Sequence, residues 1–138
     1  MIGLVIVSHS RRLAEGLCEL LAQLQPDVPV RAAAGMPDGT LGTSAMVIQE
    51  ALSALNHMEG ILVLLDLGSA AMSAEMAIEM LPEPARARVL LSDAPLVEGA
   101  TLAAINAGLG LSLPEVAAAA QEGRHLPKNL QSAPPRSV

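Results

Sequence analysis

Apolar residues along this chain fall in two kinds of run. Continuous Val, Ile and Leu occur in Ile2-Gly3-Leu4-Val5-Ile6-Val7 and in Gly60-Ile61-Leu62-Val63-Leu64-Leu65, and polar side chains end both stretches. Runs this short, without alternation, read as strands covered on both faces. Elsewhere apolar residues recur at spacings of three and four: Leu13, Leu17, Leu20, Leu21 and Leu24, then Val47, Ile48, Ala51, Leu52 and Leu55. Met72, Met76, Ala77, Met80 and Leu81 follow, and then Leu102, Ile105 and Leu109. Each set predicts a helix with the named residues turned inward, and the methionine stripe is read as core. Gln25-Pro26-Asp27 breaks the first helix, Pro82 and Pro84 the third, and Gly108 and Gly110 the fourth. Ser112-Leu113-Pro114-Glu115 is a capping box that opens a last helix through Ala120, closed by Gly123. Two weaker strands are predicted, over 28–33, which Pro29 places at a sheet edge, and over 87–92.

Strands alternating with helices imply an α/β fold: a doubly wound, mainly parallel sheet of four to five strands in order 2-1-3-4, with helices on both faces. The length of 138 residues predicts one domain. It is expected over 1–123, and the polar, Pro-rich 124–138 reads as a flexible tail or the start of a linker to another domain. Composition then narrows the function. A net charge of −6 and a pI near 4.9 disfavour contact with nucleic acid. Phe, Tyr and Trp are absent, so nothing offers a stacking platform, and a small anionic ligand suits the chain better. The lone Cys18 lies in the first helical pattern, reads as a buried apolar residue, and excludes a disulfide framework or thiolate zinc site. No basic leader precedes the first apolar run and no stretch is long enough to span a membrane, so a cytoplasmic protein is expected.

Several chemistries lack their signatures: there is no Gly-Lys-Ser/Thr in the glycine loop, no Gly-x-Gly-x-x-Gly after the first strand and no Gly-x-Ser-x-Gly. What stands at the carboxyl ends of the predicted strands is His9 with Ser10, then Gly42-Thr43-Ser44, then Asp66 with Gly68 and Ser69. If the first and third strands are neighbours, Asp66 reaches His9. A carboxylate that accepts one ring N–H fixes the tautomer and leaves the other nitrogen as a nucleophile toward phosphorus. Hydroxyls of Thr43, Ser44 and Ser69, with the first turn of a helix, would then receive phosphoryl oxygens. The plain reading stands beside this one: a histidine at a strand end is commonly a surface or capping residue, and an aspartate there commonly caps a helix. His57 and His125 have no carboxylate at a strand end: His57, after the second helix, reads as solvent-facing or capping, and His125 lies in the tail. Asp66→Asn is expected to fold normally, its amide keeping the capping contacts.

Three segments together resemble the mannose-type enzyme IIA domain of the bacterial phosphotransferase system: Gly3-Leu4-Val5-Ile6-Val7-Ser8-His9-Ser10 with Leu13-Ala14-Glu15-Gly16, Asp38-Gly39 with Leu41-Gly42-Thr43-Ser44, and Gly60-Ile61-Leu62-Val63-Leu64-Leu65-Asp66-Leu67-Gly68-Ser69-Ala70. Glu75-Met76-Ala77 and Asp93-Ala94-Pro95-Leu96-Val97-Glu98-Gly99-Ala100 continue the likeness, which is nearest the phosphocarrier subunits of phosphoenolpyruvate-dependent dihydroxyacetone kinases. The resemblance implies a homodimer in which His9 takes a phosphoryl group from the phosphocarrier protein HPr and passes it to ADP on a kinase subunit. It implies that Asp66 partners His9. The candidate phosphate-binding residues are Ser10, Gly42, Thr43, Ser44, Gly68 and Ser69, and no metal or bound cofactor is expected beyond the phosphoryl group carried on His9. The compact Asp66-Leu67-Gly68-Ser69 turn favours the kinase branch over a mannose-type sugar transporter. A receiver-like regulatory module would also end its third strand in an aspartate, but it needs an acidic pair where Ser8-His9-Ser10 stands.

Overall fold

The computed structural model describes residues 1–129. Its elements are β1 (Ile2–Ser8), α1 (Arg11–Leu24), β2 (Val30–Ala34), α2 (Ala45–Ala54), β3 (Gly60–Leu65), α3 (Ala71–Glu79), β4 (Val89–Ser92), α4 (Leu96–Gly108) and α5 (Leu113–Gln121). The four strands form one parallel sheet in order β2-β1-β3-β4, with β2 at the edge as Pro29 predicts. β1 pairs with β3 from Ile2 opposite Gly60 to Val7 opposite Leu65, so the residues that follow each strand leave the sheet side by side.

Every residue of β1 is buried, which is why its sequence shows no alternation. Ile2, Leu4 and Ile6 join Leu17, Leu21, Ala100, Ala103, Ala104 and Val116 in a core under α1, α4 and α5. Val5 and Val7 point the other way, into a second core with Ile48, Leu52, Ala74 and Ala77 of α2 and α3. The period of two therefore survives in direction, not in polarity.

The helices differ from expectation in the face they turn inward. In α3 the buried residues are Ala74 and Ala77, followed by Leu81, whereas Met72, Met76 and Met80 are 75%, 52% and 48% exposed. In α4 the buried residues are Gly99, Ala100, Ala103, Ala104 and Ala107; Ile105 and Leu109 face outward and Leu102 is half-buried. In α1, Leu17 and Leu21 are buried but Leu13, Leu20 and Leu24 remain partly exposed. Small side chains let these helices approach the sheet and one another, so close packing selects Ala and Gly where hydrophobicity alone points to Leu and Met. The contact between α4 and the turn after α5 is backbone against backbone: a Cβ on Gly123 would sit 2.9 Å from the Gly99 nitrogen and 3.0 Å from the Glu98 carbonyl carbon.

Residues 87 and 88, expected in the fourth strand, instead belong to a 3-10 turn, Arg86–Arg88, and β4 starts at Val89. The capping box is present, with Glu115 N donating to Ser112 Oγ and Ser112 N donating to Glu115 Oε1. A 3-10 helix, Glu122–His125, runs on from α5. Arg124, where the tail was expected to begin, pairs with Asp93 at 2.8 Å, and Lys128 pairs with Glu98 at 2.6 Å. Residues 130–138 of the expected tail lie outside the described residues. Cys18 is half-buried, and that burial, reinforced by the Glu15 charge, pushes its thiol up. Among the described residues no helix is long and apolar enough to cross a membrane.

Candidate functional site

His9 is the residue at which β1 turns into α1. Its backbone is fixed before its ring is considered. Gly42 N donates to the His9 carbonyl at 2.9 Å, Gly35 N donates to the Ser8 carbonyl at 3.1 Å, and Asp66 N donates to the Val7 carbonyl at 3.0 Å. Loops after β2 and β3 are thus stitched to the end of β1. Gly42 makes its bond with φ at +141°, a conformation that L side chains rarely adopt.

Asp66 then gathers the polar groups that the strand ends bring together. Its Oδ2 accepts from the His9 amide at 2.9 Å and from the Ser8 hydroxyl at 2.9 Å, and its Oδ1 accepts from the Leu67 amide at 2.7 Å. His9 Nδ1 lies 3.1 Å from Oδ1 and 3.2 Å from Oδ2. Partial burial alone would raise the Asp66 carboxyl. The hydrogen bonds from the His9 amide, the Ser8 hydroxyl, the His9 ring and the Leu67 amide outweigh it and hold the group below the usual carboxylate range. An ionised carboxylate only accepts, so Nδ1 carries a ring hydrogen, and in the neutral form of the ring Nε2 presents its lone pair. Ser69 Oγ lies 3.1 Å from that nitrogen and donates to it in this form. The His9 side chain is 31% exposed against 10% for that of Asp66: a shielded carboxylate stands behind a partly exposed ring.

The other residues singled out in the sequence surround this pair in different ways. Ser10 caps α1, its hydroxyl accepting from Leu13 N at 3.3 Å, and Ser44 caps α2, accepting from Val47 N at 3.3 Å. Thr43 shares a hydroxyl hydrogen bond of 2.9 Å with Ser73 of α3. Gly68 and Ser69 open a short 3-10 helix, Gly68–Ala70, that runs straight into α3. Of the hydroxyls, only that of Ser69 lies on the His9 ring. His57 and His125 are exposed, and among the described residues no carboxylate bonds to either. Ser8 was not anticipated. It is fully buried, donates to Asp66 and accepts from Ser10 N at 3.0 Å, joining the carboxylate to the start of α1. Its one signal was a hydroxyl closing an otherwise apolar strand. On the far side of the Asp66 turn, an open crevice between the ends of β3 and β4 is lined by Leu67, Gly68, Asp93, Pro95 and Arg124.

A family model described as the fructose IIA component of the phosphotransferase system matches residues 3–118. The chain is 44% identical over 126 residues to the phosphoryl donor subunit of the PEP-dependent dihydroxyacetone kinase of Providencia stuartii, covering 88% of this chain and 26% of that protein. It is 41% identical over 120 residues to the Escherichia coli subunit of the same description, covering 84% and 25%. With the phosphoryl donor subunit of Listeria innocua dihydroxyacetone kinase 2 it shares 41% identity over 106 residues, 76% of this chain and 85% of that one. The chain therefore spans about a quarter of the first two relatives and most of the third. Among solved structures, a protein of unknown function is similar with a TM-score of 0.80 at 36% identity, covering 87% of this chain and 92% of that one. The phosphotransferase-system component EIIA of Streptococcus agalactiae shares the fold, with a TM-score of 0.67 at 16% identity over 91% and 93% of the two chains.

Proposed function

Because the chain belongs to the family of phosphotransferase-system IIA components, we propose that it is a phosphohistidine carrier, with His9 the residue phosphorylated. The single observation that carries this reading is the ring of His9 held between Asp66 on Nδ1 and Ser69 on Nε2. In the proposed reaction the Nε2 lone pair attacks the phosphorus of a phosphohistidine on HPr. The donor's P–N bond breaks as the new one forms, and the donor ring leaves as an imidazole. Positive charge develops on the His9 ring, and the Asp66 carboxylate stabilises it across the Nδ1–H bond. The Ser69 hydroxyl turns from Nε2 to a phosphoryl oxygen, and Gly68 and Ser69 N–H groups at the helix start receive the others. The flanking Ser10, Gly42, Thr43 and Ser44 shape the rim of the same phosphate site.

The acceptor in this reading is ADP held on a kinase subunit. A β-phosphate oxygen of ADP attacks the phosphorus, the bond to Nε2 breaks, and the ATP formed phosphorylates dihydroxyacetone. The names of the relatives at 34–44% identity support this branch over a sugar transporter. The protein would act in the cytoplasm as a homodimer, with no cofactor beyond the phosphoryl group on His9. Incubation with phosphoenolpyruvate, enzyme I and HPr tests the reading. The expected product is one acid-labile, base-stable phosphate on His9 that addition of kinase subunit and ADP discharges. Absence of label under conditions where HPr itself is phosphorylated would refute it.

A further inference from the structure

Four of the seven methionines, Met46 on α2, Met72 and Met76 on α3 and Met80 at the C-cap of α3, lie exposed on one side of the sheet. Met72, Met76 and Met80 follow one another at four-residue spacing, so they form one stripe along α3. Met46 stands three residues beyond Thr43 and Met72 immediately before Ser73, and the Thr43–Ser73 hydroxyl bond ties those two helix starts together. The stripe therefore begins within a helical turn of Ser69, which touches the His9 ring. Exposed Leu41 and Leu67 lie on the loops that frame the same opening. Apolar surface of this extent beside a reactive group marks a contact site, and methionine is the side chain best able to adapt its shape to a partner.

Charge says what kind of partner. From Ala32 to Ala85 the chain holds seven Asp and Glu residues and no Lys or Arg. Glu50, Glu75 and Glu79 are exposed on α2 and α3, and among the described residues no ion pair engages them. Across the sheet, Arg11 and Arg12 are exposed at the start of α1, so the two flanks of His9 differ in sign. Two copies of the chain meeting through the α2–α3 face would bring these carboxylates together, which argues against self-association there.

We propose that the methionine face of α2 and α3 is the docking surface for the phosphoryl-donating protein, which presents an apolar patch ringed by Lys or Arg. The proposal rests on the carrier reading and adds to it the side from which the donor approaches. Long-range attraction to Glu50, Glu75 and Glu79 would speed encounter, and the methionines would then seal water from the transferring group.

HPr is the probe, used in two measurements. In the first, transfer from phospho-HPr is followed in the Glu75→Lys/Glu79→Lys protein and in Met76→Gln, with chemical phosphorylation of His9 by phosphoramidate as the partner-independent control. The charge-reversed protein should lose about tenfold or more in the second-order rate constant at low salt, and the loss should shrink as salt is added. Met76→Gln should slow transfer at every salt concentration, while phosphoramidate labels all three proteins alike. In the second, unlabelled HPr is titrated into the ¹⁵N-labelled protein, and amides of α2 and α3 should shift with His9. Transfer at the wild-type rate in both variants, or a footprint on α1 and α4, overturns the docking proposal and leaves the carrier reading standing. HPr that neither binds nor transfers overturns both.

Discussion

Replacing Asp66 by asparagine separates the structural work of this carboxylate from its chemical work. Each carboxylate oxygen accepts from a backbone amide, Oδ1 from Leu67 at 2.7 Å and Oδ2 from His9 at 2.9 Å. An amide has one oxygen. Whichever way it turns, its NH2 faces a backbone N–H, of Leu67 in one orientation and of His9 in the other. Turned so that its oxygen keeps the part-buried His9 amide and its NH2 meets the exposed Leu67 amide, the side chain leaves a donor that water can reach, so Asp66→Asn is expected to fold with a loss of about 1 kcal/mol, the low end of the cost of an unsatisfied donor. The chemical effect is separate: without the anion on Nδ1–H, transfer to Nε2 should slow by roughly ten- to a thousandfold, the range of general acid–base contributions. Acid supplies a check on the assignment. A carboxyl held low in the folded state contributes stability that is fully present above its ordinary pKa and lost as pH falls through the folded value. The stability gap between wild type and variant should thus narrow below about pH 4. Urea unfolding as a function of pH, rapid-quench transfer from phospho-HPr, and ³¹P–¹⁵N couplings on the phosphorylated ring measure the three effects. Wild-type transfer by a folded Asp66→Asn protein, or phosphate on Nδ1, would refute the reasoning.

His9→Ala should abolish labelling from phospho-HPr, whereas His57→Ala and His125→Ala should label as wild type does; intact-mass and acid-lability measurements distinguish them. Ser69→Ala removes one exposed hydroxyl from Nε2, so transfer should fall about three- to tenfold, equivalent to one hydrogen bond of roughly 0.5–1.5 kcal/mol, with thermal stability unchanged. A lowered melting temperature in that variant would assign the serine a packing role instead. Gly123→Ala places a methyl 2.9 Å from the Gly99 nitrogen and should destabilise by about 1–3 kcal/mol in denaturant unfolding without changing the transfer rate per folded molecule. An unperturbed midpoint would show that the turn after α5 yields.

The pairing of His9 with Asp66 was legible because it depends on very little: two parallel strands that are neighbours, and a polar residue following each. Val7 opposite Leu65 then sets Asp66 beside the Ser8–His9 step whatever the helices do. Ser8 was less legible, since one hydroxyl at the end of a buried strand looks the same whether it faces solvent or a carboxylate. Its burial and its bond to Asp66 are properties of the assembled sheet edge.

The helices were harder for a reason that bears on function. In α3 and α4 apolar residues lie on all sides, so periodicity finds helices without selecting a face, and large side chains outweigh alanines in any hydrophobic pattern. Packing decides the other way, because a helix laid on a parallel sheet beside its neighbours fits best with Ala and Gly underneath. The large residues are then displaced outward, and what looked like core becomes surface. Solvent exposure of Met72, Met76 and Met80 contributes nothing to the fold. Since α3 already has a complete inner face in Ala74, Ala77 and Leu81, folding alone sets no requirement for methionine at the three outer positions, where Gln or Lys would serve the helix as well. On the docking proposal a reason for methionine there would come from outside the chain, from a phosphorylated donor that has to approach the His9 ring closely enough to exclude water.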